Sequence, residues 1–65
     1  MLSGYDRMKL TKAGYTLLRV RMEELKIVQM TGEHSWANYG AYPTKAALNR
    51  EITRINNEEP KMIFE

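Results

Sequence analysis

Cysteine is absent from this chain. No disulfide can staple it, and thiolate zinc sites and thiol catalysis are closed to it. Its single histidine, His34, cannot build a zinc site alone. Four glycines are scattered without the spacing, or the following lysine, of a phosphate-cradling loop. No apolar run approaches the ~20 residues that cross a bilayer. The first ten residues hold Asp6, Arg7 and Lys9 where a secretory signal needs an apolar stretch. The expectation is a soluble protein of a bacterial cytoplasm, with no membrane association.

What is present is little: 65 residues, 43% hydrophobic and 28% charged, which makes one small domain spanning 1–65. A single core of this size supplies only about 3–5 kcal/mol, so a partner is the natural remaining support. Net charge is +2, too mild to favour a nucleic-acid binder. The charge is uneven, with six basic and three acidic residues up to Gly32, and four basic and five acidic residues after it.

Hydrophobic spacing predicts an all-α fold, a two-helix antiparallel hairpin with an aromatic connection and short extended ends. Helix one is expected over about 11–31, with Thr11 as N-cap, Leu10 and Tyr15 as a hydrophobic staple, and Gly32 as its stop. Tyr15, Leu18, Met22 and Leu25 form its main stripe. The connection runs over 32–43 and helix two over about 44–58, with Leu48, Ile52 and Ile55 on one face. The tail 59–65 begins next to Pro60, which forbids further helix.

Helix one would be apolar on a second side, through Leu17, Val20, Ile27 and Val28. Either the chain's own ends, Met1–Leu10 and Met62–Phe64, fold over that side, or it is a self-association surface. A homodimer buries such a patch with one surface used twice.

No catalytic constellation emerges, so neither enzymatic activity nor a cofactor or metal is expected. His34 has only Glu33 and Ser35 as sequence neighbours and reads as a solvated loop residue. Two features stand out. Trp36, Tyr39 and Tyr42 recur every three residues in the connection, either as a partner-binding hot spot or as a cap on the open end of the hairpin. Lys12, Arg19 and Lys26 recur every seven and would line up along helix one, flanking the core or contacting phosphates.

The run Leu10-Thr11-Lys12-Ala13-Gly14-Tyr15, followed by Leu18 and Glu23-Glu24-Leu25, resembles the start of the Gre-type transcript cleavage factors. Glu33-His34, Asn38-Tyr39, Ala46-Ala47 and Arg54-Ile55 are similar to their turn and returning helix. The short-hairpin regulators that bind RNA polymerase look similar around Ala47-Leu48-Asn49 and Glu51-Ile52. The resemblance implies a helical hairpin that contacts a large host machine, RNA polymerase being one candidate. Those factors carry acidic residues at the hairpin tip that help hold a catalytic magnesium. Here Ser35–Gly40 has no carboxylate, and magnesium wants at least one. Cleavage stimulation is therefore not implied.

The expected function is a small non-enzymatic regulator, of the kind phages or mobile elements encode, that docks on a host protein complex. The alternatives are a nucleic-acid-binding accessory protein using the basic row, and a structural subunit of a larger assembly.

Overall fold

The computed structural model describes residues 2–31 and 35–65. It corrects the all-α expectation. The chain is a mixed α/β domain in the order α1 (Gly4–Lys12), β1 (Thr16–Arg21), β2 (Lys26–Met30), β3 (Trp36–Ala41), α2 (Lys45–Glu58) and β4 (Met62–Phe64). The strands form one sheet in the order β3-β2-β1-β4, in which β1 pairs antiparallel with β2 and parallel with β4.

The segment expected as helix one is instead the end of α1, a β-hairpin and its turn. Leu17 and Leu18 are both buried, as are Ile27 and Val28. Adjacent residues of a strand point to opposite faces, so β1 and β2 are buried on both sides. Those adjacent apolar pairs interrupt the alternation of polar and apolar residues by which a half-exposed strand is recognised, leaving only Leu18-Arg19-Val20-Arg21 to show it. The turn residues Met22-Glu23-Glu24-Leu25 are good helix formers, and they join the two strands into what reads as one continuous helix. Leu25 takes a left-handed conformation there, φ 51°, unfavourable for a side chain of its kind. Two contacts hold it: its side chain packs against the core, and its carbonyl accepts from the Tyr42 N–H at 2.8 Å.

Leu10 to Tyr15 ends a helix rather than starting one. Ser3 caps α1, its hydroxyl accepting from the Asp6 N–H at 3.1 Å. At the other end Gly14 lies at φ 93°. The Tyr15 N–H reaches the Leu10 carbonyl and the Gly14 N–H that of Thr11, the two bonds of a Schellman cap. Thr11, read as an N-cap, sits in the last turn and donates its hydroxyl to the Arg7 carbonyl at 2.8 Å. Gly32, read as a helix stop, lies outside the described residues.

Helix α2 occupies Lys45–Glu58, and the Thr44 hydroxyl accepts from the Ala47 N–H. It leads from β3 on one edge of the sheet to β4 on the other, three strand spacings or about 14 Å away. Fourteen helical residues extend about 21 Å, enough for that crossing. Leu48 and Ile55 pack on Leu18 and Ile27 to make the core, with Val20, Ile52, Met62 and Phe64 around them. Leu17, Arg19 and Val28 point to the opposite face, where α1 lies; both Arg7 of α1 and Arg19 bond Glu65.

The Schellman cap gives a direct test of this geometry. Gly14→Ala forces a side chain into the left-handed region and should lower stability by about 1 kcal/mol. Gly4→Ala, in a helix with nothing within 4 Å of the added carbon, should raise it by about 0.5 kcal/mol. Urea unfolding measures both. A neutral Gly14→Ala would contradict the cap.

Candidate binding surfaces

Trp36, Tyr39 and Tyr42 do not converge. Trp36 pairs with Met30, on the α1 side of the sheet. Tyr39 and Tyr42 pack against the core on the α2 side. The pairing of β3 with β2 slips between Ile27 and Val28, which face Gly40 and Asn38, so Tyr39 is the extra residue of a bulge. Tyr42 folds back over Gly40, where an added Cβ would stand 2.7 Å from the Tyr42 hydroxyl oxygen. Burial raises the Tyr42 phenol above its ordinary pKa, and the charge of Glu51 adds to this.

On the α1 side an ion cluster joins the ends of the chain. Glu65 accepts from Arg7 and, at 2.5 Å, from Arg19. Its side chain is 3% exposed. The Arg19 guanidinium lies 4.4 Å above the Trp36 ring and that of Arg7 at 6.0 Å, positions favoured by the negative face of an indole. Burial pushes the Glu65 carboxyl up, but hydrogen bonds and charge from Arg19 and Arg7 outweigh it and hold the pKa below the ordinary value. Arg7 Nε and Glu65 Oε2 are buried without hydrogen-bond partners.

Of the basic row, Arg19 and Lys26 share this sheet face, since Arg19 pairs with Val28 and Arg21 with Lys26. Lys12 is in the last turn of α1. Arg21 belongs with them, though a spacing of seven does not point to it. Leu17, Ile27 and Val28, expected to mediate self-association, are buried within this chain, and Val20 packs against its core. The apolar surface that called for a dimer is thus covered by the chain's own helices and β4. On the outer side of α2, Arg54 bonds Glu51, with Glu59 at 3.4 Å and Glu58 at 3.5 Å.

An edge of the sheet was not foreseen. β3 is outermost, and Trp36-Ala37-Asn38-Tyr39-Gly40-Ala41 contains neither charge nor proline. Ala37, Asn38 and Ala41 are exposed. Natural sheets usually blunt such an edge with lysine, proline or a covering segment.

An open depression of about 350 Å³ lies at the β1–β2 turn, lined by Val20 to Glu24 of that single segment. Among the described residues no group of three or more His, Asp or Glu could hold a metal ion. His34 lies outside them. No helix among them is long and apolar enough to cross a membrane. Comparison with protein-family models, curated proteins and solved structures finds no match to this chain. The helical hairpin implied by the likeness to transcript cleavage factors is replaced by the sheet.

The depressed Glu65 pKa fixes the sign of a pH dependence. Its stabilising contribution is fully present above the ordinary carboxyl value of 4.5 and is lost as pH falls through the lower folded value. Both arginines remain partly solvated, so Glu65→Gln should cost about 1–2 kcal/mol near pH 7, less than breaking a fully buried pair. Urea unfolding of both proteins near pH 7 and near pH 3 tests this. The difference should shrink at the lower pH; an undiminished gap would contradict the account.

Proposed function

We propose that this chain is a non-enzymatic binding module that docks on a larger protein through the free edge of β3. One observation carries the reading: a six-residue edge strand with no charge, no proline and three exposed small or polar side chains. In an antiparallel ladder a strand's backbone groups turn alternately to either side. Those on the outer side of β3 are therefore free to pair with an extended segment of a partner. Trp36, at the start of the strand, supplies a large apolar contact of the kind that anchors interfaces. The other edge, β4, is three residues long and offers much less. A partner segment held on β3 is withheld from its other contacts, so a chain of this size can regulate without catalysis. With the hairpin gone, no feature singles out RNA polymerase as the host.

Charge on the edge strand tests the reading. Ala37→Lys places a cation on an exposed position and should leave the melting midpoint unchanged. Used as bait in bacterial lysate, the unmodified protein should retain a stoichiometric partner, and Ala37→Lys should retain at least tenfold less. Equal capture by both proteins, or no specific partner for either, would contradict it.

A further inference from the structure

One arrangement concentrates positive charge on the sheet. Arg21 and Lys26 stand directly opposite each other across the β1–β2 pair. Like charges at such positions repel. Arg19 lies two residues from Arg21 on the same face, stacked on Trp36. Lys26 also contacts Glu24 at 2.6 Å, but the Glu24 side chain is 57% exposed, and a pair so solvated adds little. Arg21 makes no salt bridge among the described residues; the exposed Glu24 carboxylate feels its charge only weakly, after that of Lys26. On the α2 side, by contrast, three glutamates surround Arg54. The modest net charge thus conceals two sides of different character.

We infer that the sheet face formed by Arg19, Arg21, Lys26 and Trp36 is a binding site for single-stranded nucleic acid. Three cations on two neighbouring strands suit successive phosphates of one backbone. Trp36 is partly exposed beside the Arg19 guanidinium, and an unpaired base stacks on either group. A duplex keeps its bases stacked inside and could use only the charges. This site shares Trp36 with the β3 edge, but it uses side chains on a sheet face where the edge uses backbone groups at its rim, so Arg21→Glu and Ala37→Lys test the two separately.

Titrating the full chain with a fluorescent oligothymidylate and with a duplex of equal length tests the proposal. The single strand should bind more tightly. Three phosphate contacts predict a slope near −2 in log K against log salt, so binding weakens roughly 20-fold between 50 and 200 mM. Arg21→Glu should weaken binding at least tenfold while the melting midpoint stays within about 2 °C, because position 21 is exposed and the new carboxylate gains Lys26 but meets Glu24. Arg50→Glu makes the same charge change on an exposed position of α2 and should weaken binding less than threefold. Absence of binding at 50 mM salt, tighter binding of the duplex, or equal losses for Arg21→Glu and Arg50→Glu would overturn the proposal.

Discussion

Every layer of this protein depends on β1 burying a leucine on each face, Leu17 on one and Leu18 on the other. Leu18 faces α2 and joins the core with Ile27, Leu48 and Ile55. Leu17, one residue earlier, is equally buried on the side of α1. Laterally β1 is bonded to β2 on one side and to β4 on the other. A chain of 65 residues buries only about 60% of its unfolded surface. Using one sheet twice, with a helix on either side, is how so short a sequence supports buried side chains without a disulfide or a metal. Loss of β1 would separate α1, β2 and β4 at once.

The two sides are secured differently. On the α2 side the hold is apolar packing under an amphipathic helix, backed on the outside by Arg54 and its glutamates. Opposite, α1 buries no residue completely, and its firmest tie is Arg7 to Glu65, which Arg19 shares. A carboxylate from the strand-bound tail thus draws the first helix onto the sheet. The same cluster holds the Arg19 guanidinium 4.4 Å over the Trp36 ring, so the contact that closes the fold also shapes the exposed face beside it. Structure and proposed binding surface meet in one group of side chains, while among the described residues no strand pairs with the outer side of β3.

Helix α2 was legible in the sequence because each of its signals agrees: Thr44 before it, Pro60 beyond it and a single apolar face. The rest was misread for physical reasons. Leu17-Leu18 and Ile27-Val28 are buried in adjacent pairs, which interrupts the alternation of their strands, and Met22–Leu25 bridges them with residues that favour helix. Ser3 followed by Asp6 was a usable start signal for α1, and Gly14 its stop, but Thr11 with Leu10 and Tyr15 around it read as a start instead. Among the binding residues, the aromatics spaced by three read as one cluster in a connection between helices. In a strand that spacing separates Trp36 from Tyr39 across the sheet, and the bulge carries Tyr39 and Tyr42 into the packing under α2. Arg19 and Lys26 do share a face, but through hairpin register, which also brings in Arg21. The open edge of β3 depends on strand order, which no local pattern encodes.

Residue-resolved amide hydrogen exchange of the free protein tests this architecture most directly. The account predicts the slowest exchange in β1, β2 and the middle of α2. In β3, amides should divide into slow ones bonded to β2 and fast ones facing outward, with rates far apart within one strand. Uniform slow exchange along β3 would show that its edge is already covered. A continuous helical protection pattern from Thr16 through Met30 would show that the two-faced sheet does not form.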